Sequence, residues 1–316
     1  STVYPGVTED IGVPILKKFS GLSYNSSEYN FNKNSYFSCG YSPERINVGD
    51  PKHNLINTVK VISASNRLAL RILKNIYGSI IKAGTFSAKS IKTAELAKVL
   101  ENTQRDINIA LINELSIICD KIGLNTFDVL ETAKTKWNFH NYKPGLVGGH
   151  CISVDPYYLA YKAKQININP KVILSGRETN DNLHKFIKSR ILNLFKKKKI
   201  KISNAKILIL GASFKENCDD VRNSKIFDLV NLLSKKKSMK IDIFDPIANK
   251  KEAKILYNYD VLNKLPKRKY DCVIYSLNHK IFSKIDINKI KLLSKNPSIL
   301  VDLKNKFRNN HVDLSL

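Results

Sequence analysis

The sequence predicts an α/β protein with more than one domain. In its last third, short apolar strands alternate with helices, starting with residues 206–211. In its middle, apolar residues recur at helical spacing through 90–122. Before residue 85, strands and a helix alternate over a stretch too short for a complete doubly wound domain. The length of 316 residues allows two domains and a connecting element.

Composition narrows the class of protein. The net charge of +26, from 53 Lys and Arg residues, raises nucleic-acid binding as one hypothesis. The basic residues are dispersed and lack an aromatic recognition pattern, so we favour a basic surface that also suits an anionic small substrate. The five cysteines form no C-x-x-C pair, which indicates a reducing cytoplasm and neither a disulfide framework nor a zinc site. No run approaches the about 18 apolar residues of a membrane span.

The first third is predicted to contain two strands and a helix. A short strand at 37–45 ends in a proline turn, and a second strand lies at 57–64. A helix is predicted for 66–83, because its apolar residues recur every three to four positions. The apolar positions of the helix predicted for 66–83 are Leu68, Ile72, Ile76 and Ile80.

The chain begins with Ser1 and not with Met, so we expect that an N-terminal portion precedes it.

The helix predicted for 90–122 is long for a globular protein. Its apolar stripe suits a domain connector or a dimer interface, and Gly123 ends it. Lys98 and Asn102 project together from its polar face. This face is either a solvated surface or part of a functional site. Shorter helices are predicted for 126–135, 156–164 and 178–199. The apolar stripe of the helix predicted for 90–122 consists of Leu96, Leu100, Ile107, Leu111, Leu115, Ile118 and Ile122.

The last third is predicted to form a parallel sheet with crossover helices. The loop 211–223 follows the first strand, so it lies at the carboxyl edge, where such sheets bind ligands. It contains neither G-x-G-x-x-G nor a Walker A pattern. Lys215 and Arg222 could each bind a phosphate, or form salt bridges with Asp219 and Asp220. The predicted strands are 206–211, 240–246, 270–275 and 298–302, with a helix at 224–233.

One cysteine follows a glycine-rich segment near the middle of the chain. Glycines let a backbone approach a ligand closely, and Cys151 after Gly148 and Gly149 could act as a nucleophile or be a small buried residue. A cysteine–histidine hydrolase using His150 or His140 is one hypothesis. Because adjacent side chains diverge, His150 is interpreted as loop-supporting, and Asp155 as the better-placed polar neighbour.

Five ordered motifs resemble the UDP-glucose/GDP-mannose dehydrogenase family, and most closely its bacterial UDP-N-acetylhexosamine 6-dehydrogenases. The resemblance covers essentially the whole chain. It implies a remnant of an N-terminal Rossmann domain at 1–85, a central long-helix domain at 86–200 and a C-terminal Rossmann-like domain at 201–316 that binds the UDP-sugar. The motifs are 1–6, 41–47, 94–106, 145–158 and 214–218.

The resemblance implies a cytoplasmic oxidoreductase of polysaccharide biosynthesis that uses NAD twice to oxidise the C6 alcohol of a UDP-sugar to a carboxylate. Cys151 would capture the intermediate aldehyde as a thiohemiacetal and then carry a thioester. Lys98 and Asn102 would stabilise the charge on the C6 oxygen. Asp155 and Thr2 would position or activate water. In thioester hydrolysis, Glu44 would be the general base.

The same resemblance assigns residues to binding. Arg222 would reach towards NAD, and the helix 90–122 would form a homodimer. No metal, nucleic acid or membrane is implied. The sugar stays open among GlcNAc, GalNAc and ManNAc. The residues assigned to the UDP-sugar are Tyr142, Gly148, Gly149, Phe214, Lys215 and Lys304.

The chain departs from the family pattern in lacking the G-x-G-x-x-G of the N-terminal dinucleotide-binding domain. We therefore expect a fragment that is inactive alone. A catalytically inactive nucleotide-sugar-binding protein is the alternative, and an upstream G-x-G-x-x-G would decide against it.

Overall fold

The computed structural model describes residues 2–26, 35–46, 52–235, 239–307 and 312–316. Ser1 and Asn47, at the ends of two of the motifs, lie outside the described residues. None of the described helices is long and apolar enough to span a membrane.

The chain divides into two compact units, and each is assembled from two stretches of sequence. The first unit comprises Ser1–Arg105 and Val154–Leu174, and the second comprises Asp106–Ser153 and Ser175–Leu316. The division into three domains at residues 85 and 200 stays a prediction.

The first unit contains a three-stranded sheet beside a helix. In this sheet β4 pairs antiparallel with β3 and parallel with β5. Asn66 caps the amino end of helix α2, and its side-chain oxygen accepts a hydrogen bond from the Ala69 amide at 2.9 Å. A π-helical turn, Val7–Gly12, leads into α1. The elements are α1 (Val13–Ser20), β1 (Ser23–Tyr24), β2 (Tyr36–Phe37), β3 (Gly40–Tyr41), β4 (Lys60–Ala64), α2 (Arg67–Gly78) and β5 (Thr85–Ser87), followed by the start of α3 (Ile91–Ile122), α5 (Asp155–Gln165) and the start of α6 (Lys171–Lys197).

Two predicted amphipathic helices, 66–83 and 90–122, expose most of their apolar stripes. The four apolar positions predicted for 66–83 are all exposed, and the last, Ile80, lies beyond the end of α2 at Gly78. On α3, five of the seven stripe positions are exposed, among them Leu111 at 63%. The polar face of α3 is buried instead, including Lys98, Asn102 and Asp106. The periodicity therefore predicts the helices, but the predicted stripe is not the buried face of α3. That face combines polar residues with apolar ones such as Val99 and Ile112, and its polar groups must bond within the protein.

The second unit is built on a six-stranded parallel sheet with the order β11-β10-β9-β6-β7-β8. Alternate residues of the central strand β6 enter two core clusters, Ile207 and Ile209 on one face, Leu208 and Leu210 on the other. A strand buried on both faces needs this continuous apolar sequence. The elements are the end of α3, α4 (Thr126–Ala133), the end of α6, β6 (Lys206–Leu210), α7 (Lys225–Ser234), β7 (Lys240–Phe244), α8 (Lys250–Tyr257), β8 (Val261–Leu262), β9 (Tyr270–Tyr275), a 3-10 helix (Lys280–Lys284), α9 (Ile287–Leu293), β10 (Ser294–Asp302) and β11 (Leu314–Ser315).

The predicted parallel sheet is confirmed, and β9 has the predicted ends. Strand β6 starts where predicted and ends at Leu210, one residue before Gly211. Other boundaries move: α6 begins at Lys171 and not at Glu178, and β10 begins at Ser294. In place of the strand predicted for 37–45, the structure has two short strands, β2 and β3. The helices α8 and α9 and the edge strands β8 and β11 were not predicted.

Candidate active site

In the first unit, Asp155 and Asn102 form a buried polar pair. Asp155 is the first residue of α5 and is followed by Pro156, a residue suited to the start of a helix. Its side chain is 2% exposed. The Asn102 side-chain amide donates to Asp155 Oδ2 over 2.6 Å. Two residues that the sequence analysis assigned to catalysis are therefore in direct contact.

Two further predicted residues act electrostatically on Asp155. Burial raises the pKa of Asp155 above its ordinary value, and the hydrogen bond from Asn102 and the charge of Lys98 oppose that rise. The negative charge of Glu44 raises the pKa further, although the Glu44 side chain is exposed. A carboxyl group whose pKa is raised holds and exchanges a proton nearer neutral pH, as general acid–base chemistry requires.

Near the start of the chain, Glu95 holds the turn that follows Thr2. This buried carboxylate of α3 accepts hydrogen bonds from the Gly6 amide at 2.6 Å and from the Thr8 amide and hydroxyl at 2.9 and 2.6 Å. Thr2 itself is half-buried. Sequence reasoning missed the role of Glu95, although Glu95 belongs to one of the five motifs.

In the second unit, Gly148 and Gly149 are required by contacts within the protein. A Cβ atom on Gly148 would lie 2.4 Å from the carbonyl oxygen of Asn223. Gly149 has φ +88°, and a Cβ atom there would lie 2.6 Å from the Phe214 ring. The Gly149 amide also donates to Asn223 O at 3.2 Å. The approach of these two glycines to a sugar stays a prediction.

The backbone of Gly145 is clamped by Asn113 of α3. Its amide donates to Asn113 Oδ1 at 2.8 Å, and its carbonyl accepts from Asn113 Nδ2 at 3.1 Å. Asn113 Nδ2 also donates to Asn180 Oδ1 at 2.8 Å, and Asn180 Nδ2 donates to Asp106 Oδ1 at 2.7 Å. The buried polar face of α3 therefore fixes the start of the glycine segment.

Cys151 ends this segment with an exposed side chain that forms no disulfide. The loop around it is braced by Ser153 Oγ, which donates to Gly149 O at 2.6 Å. His150 Nε2 lies 3.0 Å from Asp220 Oδ2, so His150 contacts a neighbouring loop, as expected of a loop-supporting residue. The structure thus presents a thiol at the surface on a fixed backbone.

A pocket at the carboxyl edge of the sheet contains two of the predicted substrate residues, Phe214 and Lys304. Gly145, Ser276 and Lys225 also line it.

The cations and aromatic ring of this region have defined neighbours. Lys304 Nζ pairs with Glu216 Oε1 at 2.8 Å, and although burial alone would raise the pKa of Glu216, the charge and hydrogen bond of Lys304 lower it. Lys215 Nζ lies 5.8 Å from the centre of the Phe214 ring. Tyr142 is half-buried earlier in the segment.

Lys225, at the start of α7, is a pocket residue that the sequence analysis missed. Its ammonium group lies 3.0 Å from Asp181 and 3.1 Å from Asp228. Burial alone would lower its pKa, but the two carboxylates raise it above the ordinary value. The pocket therefore gains a second cation, Lys225, beside Lys304.

Arg222, the residue assigned to the cofactor, is exposed and bound to a carboxylate. Its guanidinium forms hydrogen bonds with Asp220 at 2.8 and 3.0 Å and holds the pKa of that carboxyl well below its usual range. The 316 residues contain no G-x-G-x-x-G after a strand. The described residues therefore do not by themselves fit a dinucleotide.

A buried carboxylate beneath the pocket was also missed. Asp245 follows β7 and is fully buried with His279. Burial alone would raise the pKa of Asp245, but hydrogen bonds from His279 and from backbone amides lower it to about 2. A polar residue directly after a buried strand was the available sequence signal, but residue 245 was counted as part of that strand.

The predicted residues fall into two groups. Each group lies within a single unit. Among the described residues, no cluster of three or more His, Cys, Asp or Glu side chains could hold a metal ion. The first unit contains Thr2, Glu44, Lys98, Asn102 and Asp155, and the second contains Tyr142, Gly148, Gly149, Cys151, Phe214, Lys215, Arg222 and Lys304.

Comparisons with known proteins identify the family. Residues 92–182 match the central domain of the UDP-glucose/GDP-mannose dehydrogenase family, and residues 208–309 match its UDP binding domain. The chain is 45% identical to a UDP-N-acetyl-D-glucosamine 6-dehydrogenase from Salmonella typhi, over 96% of this chain and 69% of that protein. A protein of the same description from Pseudomonas aeruginosa is 44% identical, over 100% of this chain and 72% of the relative.

A solved structure shows the same fold. The UDP-D-ManNAc dehydrogenase from Pyrococcus horikoshii superposes with a TM-score of 0.83 at 26% identity, over all of this chain and 70% of that one. With both family models matched and relatives above 40% identity along its length, the chain belongs to the UDP-glucose/GDP-mannose dehydrogenase family.

Proposed function

We propose that this chain carries the catalytic and sugar-nucleotide-binding parts of an NAD-dependent nucleotide-sugar 6-dehydrogenase. Its substrate would be a UDP-N-acetylhexosamine and its product the corresponding uronate, for surface polysaccharide synthesis. The relatives named above act on UDP-GlcNAc and UDP-ManNAc by their descriptions, which supports a UDP-N-acetylhexosamine as the substrate class.

The glycine segment carries the proposal. Gly145 lines a pocket that also contains Lys225 and Lys304, and the same segment ends in the exposed thiol of Cys151. Two cations suit a diphosphate, and a fixed thiol suits covalent capture of an aldehyde. This combination supports a UDP-sugar dehydrogenase over a simple binding protein.

In the proposed mechanism, Cys151 adds to the C6 aldehyde, forming a carbon–sulfur bond while the carbonyl oxygen takes up a proton. After the second oxidation the carbon–sulfur bond belongs to a thioester, which water cleaves to a carboxylate and the free thiol. Arg222 and a joined dinucleotide-binding domain would hold NAD, which would supply the oxidant for both oxidations. Capture on Cys151 keeps the aldehyde bound between the two steps.

The buried cluster of the first unit would supply the polar chemistry. Lys98 and Asn102 would stabilise the developing charge on the C6 oxygen, since both are desolvated donors held on one helix. Asp155, with its raised pKa, would position or activate the attacking water. Glu44 would act as general base in the thioester hydrolysis, and Thr2 would help position that water.

The remaining substrate assignments follow the pocket. Phe214 and Lys304 line it, and Lys215 and Tyr142 would contact the nucleotide-sugar from the two neighbouring segments. Arg222 would contact NAD only after its bond with Asp220 is exchanged for one to the cofactor. The other contacts to NAD would come from a dinucleotide-binding domain joined to this chain.

A homodimer through α3 and a cytoplasmic location belong to the same proposal. The exposed apolar stripe of α3 supports the dimer, because contiguous exposed apolar surface usually marks an interface. The five cysteines form no disulfide, which supports a reducing compartment.

The proposal is tested by NADH formation. The 316-residue chain is assayed alone and joined to the dinucleotide-binding domain of a family member, against UDP-GlcNAc, UDP-GalNAc, UDP-ManNAc, UDP-glucose and GDP-mannose. We expect the joined protein to form about two NADH per UDP-N-acetylhexosamine and the chain alone to form none. Failure of the joined protein on every substrate would refute the dehydrogenase.

Cys151→Ser distinguishes the mechanism from binding. Because the pocket is untouched, we expect this variant to bind UDP-sugar as the wild type does and to yield no uronate. Cys39→Ser, a half-buried thiol of the other unit, is the matched control. An unchanged uronate yield from Cys151→Ser would contradict the thioester. Binding of UDP-sugar without turnover by the joined protein would support the inactive nucleotide-sugar-binding alternative.

A further inference from the structure

One buried carboxylate connects three loops at the carboxyl edge of the sheet. Asp245 Oδ2 accepts hydrogen bonds from the amides of Ala212 and Ser213, at 2.8 and 3.2 Å, and from Ser213 Oγ at 3.1 Å. Asp245 Oδ1 accepts from the Ile247 and Ala248 amides at 2.9 and 3.1 Å. These donors belong to the loops that follow β6 and β7.

The third loop contributes His279, which lies after β9. Its Nε2 atom is 3.1 Å from Asp245 Oδ2, and both side chains are fully buried. Its Nδ1 atom accepts a hydrogen bond from the Asn217 amide at 2.9 Å. A nitrogen that accepts a bond carries no proton, so His279 is neutral, with its hydrogen on Nε2 and donated to Asp245.

The Asp245–His279 pair therefore holds both ends of one short segment. Asp245 binds the segment at Ser213, and His279 binds it at Asn217, whose backbone has φ +57°. Asn217 Oδ1 also accepts from the Lys280 amide at 2.8 Å. Phe214 and Lys215, two of the predicted substrate residues, lie between the two attachments.

We propose that His279 is a positioning residue for UDP binding, acting through the hydrogen bond that its unprotonated Nδ1 accepts from Asn217. This inference rests on the proposed function for its ligand, UDP. His279 is not among the residues lining the pocket, and it acts by setting the backbone path of 213–217, on which Phe214 depends. Losing the acceptor leaves the partly buried Asn217 amide without that bond and removes one of the two hydrogen bonds that hold this end of the segment.

The test compares two substitutions that each keep one half of the imidazole. His279→Asn places an oxygen near the Nδ1 position, so the Asn217 amide keeps an acceptor. His279→Gln places an amide nitrogen near the Nε2 position, so Asp245 keeps a donor and Asn217 loses its acceptor. UDP binding to the 316-residue chain is measured by calorimetry. We expect about tenfold weaker binding for His279→Gln and near wild-type binding for His279→Asn.

A control separates positioning from general stability. Asp271 accepts the Lys206 amide at 2.7 Å and lies at the amino edge of the same sheet, away from the pocket. Asp271→Asn should lower the unfolding temperature and leave UDP affinity unchanged. Equal affinities of His279→Gln and wild type, or equal weakening by His279→Asn and His279→Gln, would overturn the proposal.

A second readout does not depend on UDP. In ligand-free protein, the Asn217 amide should exchange with deuterium faster in His279→Gln than in wild type, with His279→Asn close to wild type. If the wild type fails to bind UDP, the proposed function fails, while the exchange comparison still decides whether the Nδ1 bond holds the segment. Equal exchange in all three proteins would refute that bond.

Discussion

The side-chain amide of Asn102 donates to the carboxylate of Asp155 over 2.6 Å, and both groups are withdrawn from solvent. Two opposing effects set the pKa of this buried carboxylate. Burial favours the neutral acid, while Asn102 and Lys98 favour the anion, and burial prevails because the pKa is raised. This balance is the property that a proton-accepting group needs, and it can be measured through stability.

Asp155→Asn should change how stability depends on pH. The pKa of Asp155 is raised on folding, so the stability present below the ordinary carboxyl pKa of 3.8 is lost as the pH rises through the folded-state value. Asparagine cannot ionise, so the variant should gain on the wild type by about 1.4 kcal/mol per unit of pKa shift. Urea unfolding between about pH 4 and 7 measures this difference.

Asn102→Ala serves as the opposing change in the same series. It removes the hydrogen bond that lowers the pKa of Asp155, so the loss of stability with rising pH should extend to higher pH. Parallel pH profiles for the wild type and Asp155→Asn would contradict the raised pKa.

Asn113→Ala should weaken UDP binding. The substitution removes the two hydrogen bonds that fix the Gly145 backbone at the pocket, at a cost of about 1–3 kcal/mol for each buried group left unpaired. We expect about tenfold weaker binding by calorimetry. Asn182→Ala is the control, because that side chain bonds only to the Glu178 carbonyl of its own helix in the contacts described. Unchanged affinity in Asn113→Ala would show that the hydrogen bonds between Asn113 and Gly145 do not contribute to UDP binding.

Glu216 and Lys304 should affect UDP affinity in opposite directions. Lys304→Met removes a cation from the pocket and should weaken binding, with a smaller dependence on salt. Glu216→Gln removes the carboxylate that pairs with Lys304 at 2.8 Å, so the ammonium group becomes available to a diphosphate and binding should strengthen. Titrations at two salt concentrations test both. Weaker binding in both variants would show that the pair acts as a unit.

The same pair should stabilise the fold only above acid pH. The pKa of Glu216 is lowered, so its contribution to stability is present above its ordinary value and is lost as the pH falls through the lowered folded-state value. Lys304→Met should therefore narrow the stability difference between neutral and acid pH. Unfolding of wild type and variant at both pH values checks this, and an unchanged difference would contradict it.

Leu111→Glu should dissociate a dimer formed through α3. Leu111 is 63% exposed at the centre of the apolar stripe, so a charge there would be buried in the proposed interface. Sedimentation should find a dimer for the wild type and a monomer for the variant. Leu292→Glu on α9, where the leucine is 74% exposed, is the matched control and should stay dimeric. If Leu111→Glu remained a dimer, the apolar stripe of α3 would be excluded as the dimer interface.

The buried strands were the part of the fold that sequence predicts best. Strands β6 and β9 are central, so both faces must be apolar, and their ends are marked where the apolar run stops. Edge strands such as β8 and β11 have two residues each and no such run. Short edges are defined by their neighbours and not by their own composition.

The inward face of α3 could not be predicted from periodicity. Hydrophobic spacing identifies the helix, but most of the predicted stripe is exposed, and the buried face combines polar residues with other apolar ones such as Val99 and Ile112. Asp106, Asn113 and Asn180 are buried because they bond one another, and Arg177 pairs with Asp106 at 2.6 Å. These partners come from two helices, and their pairing appears only when the helices are packed.

Some residues of the candidate site could be identified from the sequence, and others could not. Residues that carry chemistry within a motif, such as Cys151 and Asp155, could be identified from the sequence. Asp245 and His279 could not, because they are 34 residues apart and meet only through the strand order β9-β6-β7. A supporting residue is specified by topology, which the local pattern does not contain.

The attachment of three loops to Asp245 has a thermodynamic consequence for ligand binding. Loops ordered before the ligand arrives lose their conformational entropy during folding, so binding does not have to supply it. Because the loops after β6, β7 and β9 share one carboxylate, their order is also shared. Disorder introduced into one of them should spread to the other two, and the pocket should lose its ligand before the sheet beneath it unfolds.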